Sequence, residues 1–498
     1  MQPEDESVLC VSEAPPPSDP EELAAQHNAH WTPVGLSERV VGIYGQRFCR
    51  YIVERGLWIV WNGGRWHQDQ ADIRMHRVCK ATLKHMLLHP DVGPDLLKDY
   101  TKWVKRSETE PMFQQMLTLA RSDRSITMSV NALDQHPDLL CCANGVVDLR
   151  TGELLPNRPD LYLTKNTGVP YQPDATFRQW DAFLDQATGG NAAVRDALQL
   201  EVGYSLQGSC CEEVFFLLLG KGGTGKSTFL EAVSGMLGDY HVAASFSTFL
   251  KKDRVSSGPS EDIARLDGAR LVTATECDDG GRFAAATLKQ LTGGDKVNAR
   301  FLYQNSFDFH PQFKLFFAVN HLPYMDTDDP AIWRRVILNR FDFHPEQIQT
   351  NLKSLFATPE AKAAILAWAV KGAVRWYQTG LIIPPEIREA NAWARDEMDP
   401  VSAFLKEECV IDPSCVFAIT QFRLRYDEWA TANGQRYTLD RKRFNRALEA
   451  KGFVQGVRKV RDGTKARCWL GIHWVGQNES MREGIQAELH RDQNQGLY

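Results

Sequence analysis

Residues 220 to 228 read GKGGTGKST, and what flanks them narrows the possible folds sharply. The apolar run Phe215 to Leu219 precedes them, fit for a buried strand. STFLEAVSGML follows with helical spacing. A strand feeding a helix through a glycine-rich turn is the opening half of a crossover unit, so the chain is expected to build a parallel sheet. The segment matches G-x-x-x-x-G-K-[ST]. Its glycines let backbone N–H groups converge on phosphate oxygens, at a helix N-terminus that already favours negative charge. Gly220, Lys221, Gly222, Gly223, Thr224, Gly225, Lys226, Ser227 and Thr228 are therefore the expected nucleotide-binding residues, with ATP as ligand. Lys226 is expected to reach the β- and γ-phosphates, and the Ser227 hydroxyl to ligate Mg²⁺.

Cleaving such a ligand needs an acid at the end of a neighbouring strand. GARLVTATECDDGGRF supplies one: RLVTAT is strand-like and ends at Glu276, fifty residues beyond Lys226. Glu276 is suited to hold the Mg²⁺ water shell or to polarise an attacking water. FFAVN ends in Asn320, a polar group at a strand tip that suits orientation of a water on the γ-phosphate. KVNARFLY and FKLFFAVN both read as strands, joined by the loop QNSFDFHPQ into a protruding hairpin. Lys296, Arg300, Tyr303 and Phe307 put cations and aromatics there, for gripping phosphates and stacking bases. Arg334 and Arg335 follow in IWRRV. They make sense as fingers inserted into the next subunit's nucleotide, which requires head-to-tail packing in a closed ring.

The 498 residues suggest roughly three domains. Apolar residues make up 43% and charged residues 24%, with a net charge of -6. That balance is globular and excludes a uniformly basic protein. The eleven cysteines contain no C-x-x-C pair and no Cys/His set with zinc spacing, so they read as reduced cytoplasmic core residues and no zinc is expected. The first residues lack the basic and apolar regions of a signal peptide, and no apolar run approaches a membrane span; a soluble, intracellular chain is expected.

Residues 1–30 are expected to be an acidic disordered tail, since the first 25 hold seven acids, five prolines and no Lys or Arg. Residues 31–191 form an expected mixed α+β domain, with hairpins at LWIVWNGGRWHQD and LLCCANGVVDLRTGELLP and a helix at RMHRVCKATLKHML between them. The P-loop domain spans 192–345, a helical segment 346–397, a small domain 398–475 and a polar tail 476–498. The small domain reads as helix, turn, helix and two strands around a basic turn, the order of a winged helix. Residues 421 to 470 hold thirteen Lys/Arg and five Asp/Glu, an electrostatic footprint for a phosphate backbone. Arg441, Lys442, Arg443 and Arg446, on DRKRFNRALEAKG, are the expected duplex-reading residues, with VRKVRDGTKARCW as the wing.

The order Gly-rich loop, strand-end Glu, LKQLTGGDKVNARFLY, strand-end Asn, then DPAIWRR resembles superfamily 3 helicases, and more narrowly the phage, plasmid and poxvirus primase-helicase group. LWIVWNGGRW, ANGVVDLRTGEL and GYSLQG resemble that group's N-terminal associated domain, so the likeness covers roughly residues 35 to 475. It implies a multidomain α/β chain with an AAA+ -like P-loop core, a hexameric ring, and ATP-driven 3′-to-5′ translocation on single-stranded DNA. By that resemblance Lys226 and Ser227 are Walker A, and Glu276 is the Walker B acid. Lys289, Gly293, Gly294, Asp295 and Arg300 precede the DNA-contacting hairpin. Asn320 is sensor 1, and Arg334 or Arg335 is the finger.

Two departures stand out. Glu276 is followed by Cys277 where a second acid is frequent, leaving Asp278 as the nearest substitute. Relatives often carry a primase domain first, and only about 30 residues precede the associated domain here. Asp326-Thr327-Asp328, the lone D-x-D, lies inside the P-loop domain, where loop or capping roles suffice. The expectation is a replicative DNA helicase of a mobile element in a bacterial cytoplasm, binding single-stranded and duplex DNA and served by a separate primase or replication protein. The alternative is an origin-binding or DNA-remodelling ATPase. A small-molecule P-loop kinase explains neither the hairpin nor the basic C-terminal domain.

Overall fold

The P-loop strand Phe215–Leu219 lies inside a five-stranded sheet, in the order Val336–Arg340, Phe215–Leu219, Lys314–Val319, Leu271–Thr275, His241–Ala243. Every pairing is parallel. FFLLL and KLFFAV are buried along their whole length, as strands covered on both faces must be. Val319 pairs with Leu219, and Ala318 pairs with both Thr275 and Leu218. The P-loop, Asn320 and Glu276 therefore leave the sheet from one end, the end at which parallel sheets bind ligands.

This computed structural model describes residues 31–45, 47–251, 261–276, 281–302, 305–327, 329–344, 351–433, 439–459 and 465–475. The two expected tails, Cys277, Asp278, Tyr303 and Asp328 lie outside them.

One sheet face packs on helices Ala192–Leu206 and Pro359–Thr379, in a core that also takes in Val147, Leu149 and Trp180. The two helices meet backbone to backbone. A Cβ on Gly203 would lie 2.2 Å from the Ala373 nitrogen, and one on Gly372 would lie 2.2 Å from the Gln199 oxygen. The other face is aromatic, with Phe317 ringed by Phe215, Phe246, Phe249 and Phe283.

Both N-terminal hairpins form. Trp61 pairs with Trp66, and the Asn62 side chain closes the turn by accepting from the nitrogens of Gly64 (3.0 Å) and Arg65 (2.8 Å). Cys142 pairs with Gly145, and Val147 with Leu154. The helix between the hairpins spans Ile73–Leu88.

The third hairpin differs from expectation. Val297–Ala299 pairs with Phe307–Phe309, inside the segment expected to be a loop. Lys314–Val319 instead joins the central sheet. The reason is patterning: FDF alternates in burial, whereas KLFFAV is a continuous apolar run needing cover on both faces.

The C-terminal residues run helix Pro400–Glu408, strand Cys409–Ala418, helices Ile419–Ala432 and Arg441–Ala450, then the antiparallel pair Val454–Lys459 and Lys465–Trp474. Phe404, Tyr426, Phe444 and Trp469 fill their core. Asp440 caps the basic helix, accepting from the Arg443 nitrogen at 2.9 Å. Among the described residues no helix is long and apolar enough to cross a membrane.

Candidate nucleotide-binding site

The glycine loop turns through left-handed conformations at Gly223 (φ 84°) and Gly225 (φ 93°), which only glycine adopts without strain. Gly220 is fixed by crowding instead, since a Cβ there would lie 2.1 Å from the Phe341 oxygen. Helix Lys226–Gly235 starts directly after the loop and aims its unpaired N–H groups into the turn.

Lys226 is buried, and its Nζ donates to the backbone oxygens of Gly220 and Lys221 (2.9 Å) and to Asn320 Oδ1 (3.2 Å). Burial lowers its pKa, and the nearby Glu276 carboxylate opposes that shift. Glu276 Oε2 accepts from the backbone nitrogens of Asn320 (3.0 Å) and His321 (3.3 Å). Its other oxygen, Oε1, is buried and has no hydrogen-bond partner among the described residues. A buried carboxylate oxygen left unpaired is costly unless something else engages it. A carboxylate oxygen, a hydroxyl at Ser227 and a loop of N–H donors form a donor set that fits a Mg²⁺-bound triphosphate.

The loop opens into a cavity of about 430 Å³, lined also by Asn320, Phe183, Gln186, Phe343, Leu352 and Lys353. None of the last five carries a sequence motif. Phe183, Phe343 and Leu352 among them form an apolar and aromatic wall fit to hold a base. Phe343 lies over Gly189, whose Cβ would fall 2.1 Å from the ring. The Gly189-Gly190 pair was the one signal available, because it marks a close approach.

Residues 37–189 match the family described as D5 N terminal like, and residues 218–335 match a family described only as of unknown function. A protein of Acanthamoeba polyphaga mimivirus, named a helicase on inference, is 27% identical over 299 residues, covering 56% of this chain and 31% of its own. A Frog virus 3 protein, also named a helicase on inference, is 27% identical over 255 residues, covering 46% and 26%. An African swine fever virus protein, named a primase on inference, is 23% identical over 329 residues, covering 61% and 34%. The chain therefore spans about a third or less of these curated relatives.

By these matches the chain is similar to viral proteins of the primase-helicase kind.

The apo structure of the NrS-1 C terminal region shares the fold at 11% identity, with a TM-score of 0.51 over 88% of this chain and 99% of that one. The relatives named above come from eukaryotic viruses.

The remaining predicted residues fall into separate places. Arg334 and Arg335 precede strand Val336–Arg340, whose first residue pairs with Phe215 and whose last pairs with Leu219. They sit at the end of the sheet opposite their own P-loop, a strand length of about 17 Å away. Their environments differ: the Arg334 side chain is 66% exposed and that of Arg335 8%. Lys296 and Arg300 are exposed on either side of strand Val297–Ala299, and Phe301 stacks on Phe307 at 5.6 Å. Gly294 turns at φ 74°, Asp295 is exposed, and Lys289 is paired with Asp329 at 2.5 Å.

On the basic helix, Arg441, Lys442 and Arg446 are exposed. Arg443 departs from them: its Nη1 lies 3.2 Å from Asp326 of the P-loop domain. The same carboxylate receives Arg282, 2.6 Å from both oxygens. Asp326 thus does more than the loop or capping role expected of it.

Proposed function

We propose that this chain is an ATP-dependent replicative DNA helicase of a virus or other mobile element, of the superfamily 3 type. It works as a ring, hexameric by the resemblance, and moves 3′ to 5′ on single-stranded DNA. A separate primase or replication protein serves it. The observation that carries this reading is the convergence of Lys226, Asn320 and Glu276 at one end of a parallel sheet, with Lys226 Nζ 3.2 Å from Asn320 Oδ1.

In this reading the loop N–H groups and Lys226 hold the phosphates, and an AAA+ -like core surrounds them. On nucleotide binding Lys226 exchanges the carbonyls of Gly220 and Lys221 for phosphate oxygens, which frees Asn320 to orient a water. Glu276 is held by the Asn320 and His321 nitrogens, so its second oxygen is aimed without reorganisation. Mg²⁺, held by Ser227 and Glu276, supplies neutralisation of phosphate charge when bound. The end-of-sheet position of Arg334 and Arg335 supports a role toward a neighbouring subunit's nucleotide. Lys296 and Arg300 grip the translocated strand. The helix-strand-helix-helix-strand-strand order supports a winged helix, with Arg441, Lys442 and Arg446 toward duplex phosphate.

Strand displacement tests the reading. Purified protein with ATP and Mg²⁺ is offered 3′-tailed and 5′-tailed partial duplexes, with Lys226→Ala as control. Release from the 3′-tailed substrate alone is expected. ATP hydrolysis and DNA binding with no release from either would favour the origin-remodelling alternative.

A further inference from the structure

Glu213 was not singled out by sequence, yet its carboxylate meets both arginines of IWRRV. Its Oε2 lies 2.5 Å from Arg335 Nη2 and 3.4 Å from Arg334 Nη2. We propose that Glu213 is the positioning residue that sorts this pair, clamping Arg335 as an internal brace and leaving Arg334 as the projecting cation. The assignment deepens the trans-arginine reading above and rests on it.

The two contacts differ in kind. Arg335 is buried, and its Nη1 also donates to the Ala331 oxygen at 2.9 Å. Its Nη2 lies 3.9 Å from where a Gly293 Cβ would stand, so the guanidinium packs against the turn that leads to Lys296 and Arg300. Removing Arg335 from Glu213 would leave a buried charge without its counter-ion, which strongly resists exchange. Arg334 makes a long, solvent-exposed contact with the same oxygen, of the kind that contributes little and exchanges readily. One arginine is thus held and the other lent.

The backbone is specialised for this task. Glu213 adopts φ 54°, a left-handed conformation that a residue with a side chain seldom takes. The turn also ties Glu213 N to the Cys210 oxygen at 3.0 Å, and two residues on, Phe215 N donates to the Arg335 oxygen at 2.8 Å. The carboxylate is consequently fixed at the sheet end where the arginines emerge.

The test uses the full chain with ATP, Mg²⁺ and single-stranded DNA, comparing kcat, KM and nucleotide affinity for Glu213→Gln, Glu213→Gly, Glu213→Asp and Arg334→Ala. Glu213→Gly relaxes the left-handed backbone while deleting the carboxylate, so it separates the two contributions. Expected are kcat losses of about tenfold in Gln and Gly, the scale of losing an orienting partner. KM and affinity should be unchanged, and Asp should recover part of the loss. Wild-type kcat in both Gln and Gly while Arg334→Ala stays inactive overturns the assignment alone. Wild-type kcat in Arg334→Ala overturns the assignment, and wild-type kcat in Arg335→Ala as well overturns the trans-arginine reading with it.

Discussion

Arg443 reaches from the basic C-terminal helix to Asp326, 3.2 Å away, and shares that carboxylate with Arg282. The link joins the C-terminal residues to the segment that runs from Asn320 to Arg334. Asp326 and Arg282 are each about four-fifths buried, whereas Arg443 is 41% exposed. Asp326→Asn should therefore destabilise the protein by about 1–3 kcal/mol, because it removes the carboxylate charge that faces a mostly buried guanidinium. Arg443→Ala, removing an exposed partner, should cost under about 1 kcal/mol. Chemical denaturation of both variants checks the ranking. Asp326→Asn should also free Arg443 toward phosphate, steepening the salt dependence of duplex binding by about 0.9 in log–log slope. An unchanged slope would place Arg443 outside the duplex contact.

The nucleotide site makes a sharper demand. Glu276 Oε2 accepts two backbone N–H groups, a task that the carbonyl of glutamine also performs. Glu276→Gln should keep its fold and its nucleotide affinity while turnover falls by about 100-fold or more. Lys226→Ala should lose turnover and affinity together, since its Nζ contacts only loop carbonyls and Asn320 among the described residues. Equilibrium nucleotide binding beside steady-state hydrolysis distinguishes the two patterns. Equal affinity losses in both variants would remove Glu276 from the catalytic role.

What was legible in the sequence was what is local. The P-loop announces itself because a phosphate cradle needs glycines, a lysine and a hydroxyl at fixed spacing between a strand and a helix. Glu276 and Asn320 followed because each ends a strand-like run. The hairpin was mis-joined because FKLFFAVN reads as a strand wherever it pairs, and only its unbroken apolar character points to the central sheet. Glu213 and Asp326 were not legible. Glu213 meets Arg335 across 122 residues and Asp326 meets Arg443 across 117, and the left-handed turn at Glu213 carries no glycine to betray it. The base-side wall of Phe183 and Phe343 needs the same long-range folding.

Where helices Ala192–Leu206 and Pro359–Thr379 cross, a single methyl group should matter. Gly203→Ala would drive its Cβ to 2.2 Å from the Ala373 nitrogen, so the helices must separate. Backbone shifts of that sort cost about 1–3 kcal/mol. Gly222, with nothing within 4 Å of where a methyl group would stand and no positive φ, is the control. Gly222→Ala should leave the unfolding free energy within about 0.5 kcal/mol of wild type, as unconstrained surface changes do. Matching midpoints for the two variants would show that the crossing is looser than the contact distances state.

Lys314 offers a test through pH. It is 1% exposed, donates to the Gln207 and Gln312 oxygens, and lies 4.4 Å from the Tyr204 ring centre. Burial pulls its pKa from 10.5 down to about 7, and neighbouring Arg270 adds to that against the pull of Cys210. Above pH 7 the unfolded chain holds a proton on this lysine that the folded chain has released. Unfolding then takes up a proton, so stability rises with pH, by at most about 1.4 kcal/mol per unit. His67 and His241, lowered to about 4, raise stability through a more acidic window and level off near pH 6.5. Cys210, raised to about 11, works in the opposite direction once unfolded thiols ionise near pH 9. Lys165 and Lys226, whose pKa values burial also lowers, act in the same direction in both proteins, so between pH 7 and about 8.5 the difference between the wild-type and Lys314→Met slopes isolates the Lys314 contribution. Wild type should gain stability across that interval more steeply than Lys314→Met, whatever the variant's absolute stability. Parallel wild-type and variant curves would mean that Lys314 keeps its proton in the folded protein, held by its two carbonyls and the tyrosine ring against the cost of burial.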